Sequence, residues 1–296
     1  MTHEKKRNKM KKVLAGALLA SILTGCASAG ATGKAADESL LKTAVLKIGK
    51  ADAIVVWQAS HAMIIDCGEE EDGQEILEFL AKQEIDHIEA MIITHFDKDH
   101  VGGADTVIEN IPTDRILMPD YEGSVTDYAD FIESLESTGM TAERLRESVS
   151  FSLGDALVTV DPPLDYSITA KRDADSTYEI DNNLSLITTV VHGNNRLLFM
   201  GDAEKARTKE FLTTEAAVDC DFVKLPHHGV YSTSLDDLMD AVTPEYVAIC
   251  DSSKNPASTD TLQMLKDKGI TVRQTMAGRI TVVSDGDKID IQQKTR

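Results

Sequence analysis

Short apolar runs recur along this 296-residue chain, and the way they are connected limits the fold that it can adopt. The first runs, at 53–58 and 62–68, follow each other closely, as the strands of hairpins do. Later runs alternate with amphipathic segments such as 73–84, in which Ile76 and Leu80 recur at helical spacing. Apolar residues make up 42% of the chain, which is enough for a sizeable core. The mixture predicts an α/β (α+β) fold with two sheets and helices outside them.

The N-terminal 25 residues have the composition of an export signal. A basic stretch, KKRNKMKK, precedes an apolar stretch that is short for a membrane span. The stretch ends in LTGC, which resembles the lipobox of bacterial lipoproteins and implies lipidation of Cys26; a signal cleaved after ASA at 27–29 is the alternative. We therefore predict a signal peptide at 1–25, a tether at 26–42 and one folded domain at 43–296. A lipid would hold that domain at the extracytoplasmic face of the cell membrane.

The chain is strongly acidic, with a formal charge of −20. Broad binding to nucleic acid requires basic surface, so this charge argues against it without excluding a local basic groove. Cys67, Cys220 and Cys250 lie in apolar, strand-like surroundings and lack the paired spacing of a zinc–cysteine site. We predict that they are buried thiols with at most one disulfide among them. The sequence indicates no protein partner.

The segment MIITHFDKDHVGGA, at 91–104, gathers metal-binding side chains at the end of an apolar run. His95 and Asp97 are two residues apart, so in an extended strand end they point to the same side. Asp99 and His100 follow at what reads as a helix start, and the two glycines after them allow close backbone approach. Imidazole and carboxylate together suit zinc, manganese or iron. The segment therefore predicts a metal site.

The same segment resembles the H-x-H-x-D-H signature of the metallo-β-lactamase superfamily, with Asp97 in the place of the second histidine. With its glycines it is similar to the extracytoplasmic hydrolase domain of ComEC-type competence proteins, which act in DNA uptake. Further segments resemble that domain in the same order: IGKADAIVV, AMIIDCG, DNNLSLITTV, LLFMGDAE, VKLPHHGVYSTS and the closing GITVRQTMAGRITVVSDGD. The resemblance implies a four-layer αββα sandwich, metallo-β-lactamase-like.

This resemblance also implies a centre for two divalent metal ions, Zn²⁺ or Mn²⁺, with a bridging hydroxide as the nucleophile. Either His227 or His228 can be the last ligand of the second ion. Similarity to a secreted phosphorylcholine-esterase branch of the superfamily favours His228. The implied ligands are His95, Asp97 and Asp202 for one ion, and Asp99, His100, Asp202 and His228 for the other.

Catalytic roles are implied for Asp99 and for His227, which would touch the substrate or give a proton to the leaving oxygen. Candidate contacts to the substrate are Asn183, Ser232 and Ser234. For Ser234, a plain turn or helix cap is an equally good interpretation.

Two departures from the family pattern bear on the site. The superfamily often has a further ligand histidine before the bridging aspartate, but here the only histidine in that interval is His192, in the turn HGNN, where we expect an exposed residue. The first ion would then be completed by Asp66, Asn182, Asn183 or water. The second departure is that Ser258 or a neighbour stands where ComEC relatives carry a histidine.

These features together predict a lipid-anchored, metal-dependent hydrolase of phosphodiesters. Its substrate would be nucleic acid, as the ComEC resemblance implies, or a small or envelope phosphodiester such as a choline-phosphate decoration, which the acidic charge favours. A surface binding module that kept the fold and lost catalysis is the alternative from another class. Lactam or lactone opening is a third reading, which Asp97 and the missing histidines disfavour.

Overall fold

A computed structural model of the protein describes residues 37–166 and 181–294. The predicted signal peptide, Cys26 and most of the predicted tether lie outside the described residues. The first strand begins at Leu41, two residues before the predicted start of the domain. Within the described residues, no helix combines the length and the apolarity that crossing a membrane requires.

In the described residues, fifteen strands form two sheets. They are β1 (Leu41–Val45), β2 (Ala53–Gln58), β3 (His61–Cys67), β4 (Ala90–Ile92), β5 (Ile116–Pro119), β6 (Ala142–Leu145), β7 (Val149–Leu153), β8 (Ala156–Asp161), β9 (Ile187–His192), β10 (Asn195–Phe199), β11 (Phe222–Lys224), β12 (Tyr246–Ile249), β13 (Thr271–Gln274), β14 (Arg279–Ser284) and β15 (Ile289–Lys294). The first sheet has the order β15-β14-β1-β2-β3-β4-β5-β6, and the second has the order β13-β12-β11-β10-β9-β8-β7.

Seven α-helices lie between these strands in the described residues. They are α1 (Asp72–Lys82), α2 (Lys98–Val101), α3 (Ala104–Asn110), α4 (Thr126–Thr138), α5 (Lys205–Phe211), α6 (Thr233–Val242) and α7 (Thr259–Asp267). The predicted helix at 73–84 is α1, which buries Ile76, Phe79 and Leu80 on one face.

Three apolar clusters establish a four-layer arrangement. Because successive strand residues point to opposite faces, Val55 packs with α1, α3 and α4, whereas its neighbours Ile54 and Val56 face the second sheet. The other face of the second sheet packs against α5, α6 and α7. The prediction of two sheets with helices outside is therefore confirmed.

The connections follow the prediction closely, apart from the segment at 165–183. The turn HGNN joins β9 and β10, which pair antiparallel. Cys67, Cys220 and Cys250 are all buried and free, as predicted. We expected 165–183 to be a surface loop; residues 167–180 lie outside the described part of the chain. At the end of the segment, Asn182–Leu184 form a 3-10 turn whose side chains are buried, because they pack against α5.

Parallel pairing determines where a site can form. Strands β3 to β6 are parallel to one another in the first sheet, and β10 to β13 are parallel in the second. Side chains that follow the carboxyl ends of parallel strands lie at one edge of their sheet. The histidines and aspartates of the predicted site all come from such ends, in β3, β4, β10 and β11.

Candidate metal centre

The segment THFDKDH runs from the end of β4 into α2. His95 is fully buried, whereas the side chain of Asp97 is about a quarter exposed at the start of that helix. Their Nε2 and Oδ2 atoms are 3.6 Å apart. The predicted convergence of these two side chains on one side of the strand end is therefore present.

Close backbone packing holds this segment against its neighbours. A Cβ atom on Gly102 would lie 2.5 Å from the Lys98 carbonyl oxygen and 2.6 Å from the backbone of Glu69. A Cβ atom on Gly103 would lie 2.6 Å from the Cys67 carbonyl oxygen. Since real Cβ atoms do not come this close to backbone, the two glycines let α2 sit directly against the end of β3.

The second sheet supplies the other half of the centre. Asp202 follows β10 and His228 follows β11, and both are buried. Asp202 Oδ2 lies 3.0 Å from His228 Nε2 and 3.3 Å from His100 Nε2. His228 Nε2 also lies 3.3 Å from Asp99 Oδ2. Segments that are about a hundred residues apart in sequence therefore meet in one pocket.

Three sets of buried side chains in the described residues have the arrangement of metal ligands, with ligand atoms within 4.8 Å of one another. One of them joins Asp52 and Asp66 to the Nδ1 side of His100. The other two combine residues from both sheets. We call His95, His100 and Asp202 the first ligand group, and Asp99, His100 and His228 the second. His100 belongs to both groups, although the sequence implied it for the second ion only. Asp97 stands beside the first group, through its contact with His95.

The ring nitrogens of these groups fit a metal. The Nε2 atoms of His95, His100 and His228 are buried and, among the described residues, have no hydrogen-bond partner. A buried polar atom without a partner costs about 1–3 kcal/mol, so several of them converging on two carboxylates require an explanation. Imidazole nitrogen and carboxylate oxygen are the donors that zinc and manganese accept.

A hydrogen-bond network holds the shared histidine from behind. Asp66 is fully buried, and its Oδ2 lies 2.8 Å from His100 Nδ1 and 2.7 Å from Thr94 Oγ1. Its Oδ1 accepts a hydrogen bond of 2.7 Å from the Thr94 backbone N–H. Such a carboxylate fixes the tautomer and orientation of a ligating imidazole. Asp66 therefore orients His100, whereas the sequence offered it as a candidate ligand of the first ion.

The pocket has a strongly negative local charge. Burial alone would lower the pKa of His100, but the carboxylates of Asp202 and Asp66 raise it well above its ordinary value. Burial would raise the pKa of Asp202, but the charges of His228 and His100 lower it well below its ordinary value. The carboxylates that favour a proton on His100 would also attract a divalent cation.

Two lysines that the sequence interpretation did not single out contact the same carboxylates. Lys224, in β11, is fully buried and forms an ion pair with the buried Asp52; its Nζ is 3.8 Å from Asp202 Oδ1. Lys50 reaches Asp99 from the side of solvent, with Nζ 2.7 Å from Oδ2. One signal was present for Lys224: a lysine within a buried parallel strand needs a carboxylate partner.

The loop after β11 has an unusual backbone. His227 and His228 have φ values of 46° and 51°, in the left-handed region, where residues other than glycine are uncommon. Such backbone strain is typical of functional sites. The side chain of His228 faces the cluster, while that of His227 is about a quarter exposed, with Nδ1 3.4 Å from Glu204 Oε1. His228 thus lies among the candidate ligands and His227 beside them, which is the arrangement that the sequence interpretation favoured.

The three predicted substrate contacts have structural roles. Asn183 Oδ1 accepts hydrogen bonds from the backbone N–H groups of Ala206 and Arg207, both 3.1 Å, in the first turn of α5. Ser232 caps α6 by accepting from the Leu235 N–H, and the fully buried Ser234 hydrogen-bonds to Ser232. Asn183 and Ser232 therefore satisfy backbone N–H groups at helix N-termini, and Ser234 is the hydrogen-bond partner of the Ser232 hydroxyl.

The expectation of an exposed His192 is wrong. His192 ends β9 and is buried, with Nδ1 2.7 Å from Ser284 Oγ. The turn that follows it packs on the turn between β14 and β15, where the Asn194 N–H donates to the Gly286 carbonyl. His192 is in neither ligand group. Ser258 caps α7 by accepting from the Asp260 N–H.

The fold and the pocket together define an αββα protein whose buried histidines and aspartates, drawn from both sheets, can bind metal. A profile of the metallo-beta-lactamase superfamily matches residues 47–250. The chain belongs to the metallo-beta-lactamase superfamily and has the fold of its hydrolases.

The chain is also similar to two curated proteins of the ComEC type. It is 25% identical over 210 residues to ComE operon protein 3 of Bacillus subtilis, which covers 69% of this chain and 25% of that protein. It is 22% identical over 257 residues to Recombination protein 2 of Haemophilus influenzae, which covers 84% of this chain and 29% of that protein. The chain therefore spans between a quarter and a third of the length of these relatives. The ComEC-type resemblance is confirmed.

A solved structure supports the fold. The metallo-beta-lactamase fold protein YhfI from Bacillus subtilis aligns with a TM-score of 0.53 at 10% sequence identity, covering 86% of this chain and 99% of that one. At this identity the likeness concerns the fold alone.

Proposed function

We propose that this protein is a metal-dependent phosphodiesterase that acts outside the cytoplasmic membrane. The observation that carries the proposal is the convergence of three buried, unpartnered imidazole Nε2 atoms on the carboxylates of Asp99 and Asp202. Superfamily membership and the ComEC-type similarity support it.

The ligand groups would hold two divalent ions, Zn²⁺ or Mn²⁺, with Asp97 beside the first. When bound, such ions lower the pKa of water to near neutrality and stabilise negative charge on phosphoryl oxygens. The protein's own residues supply the remaining requirements. Asp66 keeps His100 oriented. The three Nε2 atoms belong to buried side chains, whose packing fixes their positions.

His227 is the residue placed to handle the leaving group. It adjoins the ligand His228 and is partly exposed, and its Nδ1 is held by Glu204. That contact leaves Nε2 for proton transfer to the departing oxygen, the role of a general acid. Glu204 is itself fixed by the amides of Asn182 and Asn183, at 3.4 and 3.3 Å. Asn183 would thus act on the substrate indirectly, by positioning Glu204.

The relatives and the charge favour different phosphodiesters. One relative is named a recombination protein, which favours nucleic acid. The formal charge of −20 opposes wide contact with a polyanion and favours a small or envelope phosphodiester. Cleavage of single-stranded DNA, compared with release of phosphocholine from a choline-phosphate substrate, separates the two.

Location is a separate part of the proposal. The lipobox-like LTGC supports a lipid on Cys26, so Cys26→Ser should move the protein from the membrane fraction to the soluble exported fraction. Membrane retention of that variant would contradict the anchor without affecting the proposed chemistry.

The activity is tested with bis-p-nitrophenyl phosphate and defined Zn²⁺ or Mn²⁺. We expect hydrolysis that requires the metal and that Asp202→Ala reduces to background. His227→Gln should lower kcat by about 100-fold or more, the usual share of a general acid, while metal content stays unchanged. A metal-loaded protein that cleaves no phosphodiester would instead be the binding module. Full activity of Asp202→Ala would refute the assigned centre, and turnover of nitrocefin would favour lactam opening.

A further inference from the structure

Lys50 covers the second ligand group at its solvent side. Its Nζ lies 2.7 Å from Asp99 Oδ2; the lysine side chain is 37% exposed and the aspartate side chain is 7% exposed. The backbone holds the lysine there, because the Asp52 N–H, two residues further on, donates to the Asp99 carbonyl at 3.0 Å. The turn between β1 and β2 is therefore attached to α2 directly above the pocket.

The ammonium of Lys50 and a metal ion would need the same oxygen. Asp99 Oδ2 also lies 3.3 Å from His228 Nε2, within the second ligand group. Two cations that are about 4 Å apart repel each other by several times the thermal energy, even near a protein surface. A divalent ion in the second group must therefore displace Lys50 or bind beside it more weakly.

In the first ligand group, the nearest ammonium among the described residues lies beyond hydrogen-bond distance of the ligand carboxylate. The lysine near it, Lys224, is fully buried, and its short contact is with Asp52 rather than with Asp202, which lies at 3.8 Å. His95 and His100 there have buried, unpartnered Nε2 atoms. The two halves of the centre thus differ in how closely an ammonium approaches a ligand oxygen, at 2.7 Å from Asp99 and 3.8 Å from Asp202.

We propose that Lys50 is an internal cation that competes for the second metal position, so that the protein binds its two divalent ions in sequence and with unequal affinity. The first ion occupies the group of His95, His100 and Asp202. The second displaces the Lys50 ammonium from Asp99, and the long, partly exposed side chain allows this movement without change in the fold. The inference rests on the two-ion centre of the proposed function, and it does not depend on the substrate.

The test is a metal titration of the full chain, stripped with chelator and followed by calorimetry with Zn²⁺ and with Mn²⁺. Elemental analysis after dialysis counts the bound ions. Lys50→Gln should raise the affinity of the second step by about tenfold or more, the equivalent of one charge-assisted hydrogen bond, and leave the first step unchanged. Lys50→Arg keeps the charge and should titrate like the wild type.

Lys98→Gln is the matched control. Lys98 begins α2 next to Asp99, but its side chain is 64% exposed and lies 3.4 Å from Glu69. The variant removes the same charge from the same region without touching a ligand, so it should titrate like the wild type. Melting curves of the metal-free variants verify that all of them are folded.

The outcomes separate this inference from the proposed function. An unchanged second step in Lys50→Gln, or an equal shift in Lys98→Gln, overturns the role of Lys50. A wild type that binds one ion, together with a Lys50→Gln variant that binds two, supports it; one ion in both overturns it. A clear effect of Lys50→Gln with no hydrolysis of any phosphodiester refutes the proposed activity and leaves the competition intact.

Discussion

Lys224 and Lys50 reach the same group of carboxylates from opposite sides, and their surroundings differ. Lys224 comes from the core of the second sheet, where burial lowers its pKa to about 8, and its ammonium is paired with a carboxylate that has no access to solvent. Lys50 comes from a turn and keeps more than a third of its side chain exposed. One cation is part of the wall of the pocket, and the other lies at its mouth.

The stability of the fold depends on these two lysine charges to different degrees. A buried ion pair is weak evidence for stability, but removing one partner is costly because the other charge stays buried and unpaired. An ion pair with one solvent-exposed partner contributes less, because water and salt screen the exposed charge. Lys224 is thus fixed by its buried partner, whereas Lys50 can exchange partners at a smaller cost in stability.

The largest expected effect is that of Lys224→Met. It should lower the free energy of unfolding by about 3–5 kcal/mol, because Asp52 would remain charged and buried. Urea unfolding in the presence of chelator measures this. Lys50→Met is the matched control and should change the same quantity by no more than about 1.5 kcal/mol.

A second variant checks the cause. Adding Asp52→Asn to Lys224→Met removes the unpaired charge and should restore much of the lost stability. If Lys224→Met and Lys50→Met lowered the free energy of unfolding equally, the fold would depend on both lysines to the same extent, and the distinction between them would be wrong.

The next prediction concerns Asp66, a buried carboxylate of the pocket that contacts His100 rather than a lysine. Asp66→Asn removes the carboxylate that orients His100 and accepts from Thr94, so the affinity for the first metal ion should fall by about 10–100-fold. Competition with a chelating dye measures the affinity. Asp114→Asn is the control, because it alters another His–Asp contact, 2.9 Å from His87 Nε2, on the exposed surface. Unchanged affinity in Asp66→Asn would show that packing alone orients His100.

The smallest effect concerns a carboxylate outside the pocket. Burial, together with the negative charges of Glu75, Glu71 and Glu69, raises the pKa of Asp72 from 3.8 to about 6. A raised pKa means that the folded state binds the proton more tightly, so the charged form destabilises the fold above pH 6, and the penalty vanishes below about pH 4.

Asp72→Asn should therefore stabilise the protein at pH 8 by about 1 kcal/mol, after allowance for solvent screening. The gain should shrink as the pH falls from 6 to 4, which melting curves at each pH would record. Asp130→Asn, on the exposed side of α4, is the control and should give no pH-dependent difference. A constant gain at every pH would point to packing rather than charge.

Much of the pocket could be predicted from the sequence because its residues follow apolar strands directly. His95 to His100, Asp202 and His228 each follow a strand end, and parallel strand ends meet at one edge. The roles of Lys50 and Lys224 could not be predicted, since they depend on which turn or strand lies beside α2 and β10. That proximity comes from the pairing of strands that are distant in sequence.

The predictions that failed did so for the same reason: they depended on tertiary packing. His192 reads as an exposed turn residue because its neighbours are polar, and only the docking of its turn against residues 284–286 buries it. The sequence predicts that Asn183 and Ser234 contact the substrate, but Asn183 caps α5 and Ser234 hydrogen-bonds to the Ser232 cap of α6. Local sequence indicates that a polar side chain needs a partner, and tertiary packing decides which one.

Each ligand group combines residues from both sheets, so a bound metal ion would link one sheet to the other. Loading at a hundredfold excess over the dissociation constant would add about 2.7 kcal/mol against opening at that seam. Without metal, the protein should therefore open first at this edge of the two sheets. Proteolysis of the metal-free form should begin in the segments that carry the ligands.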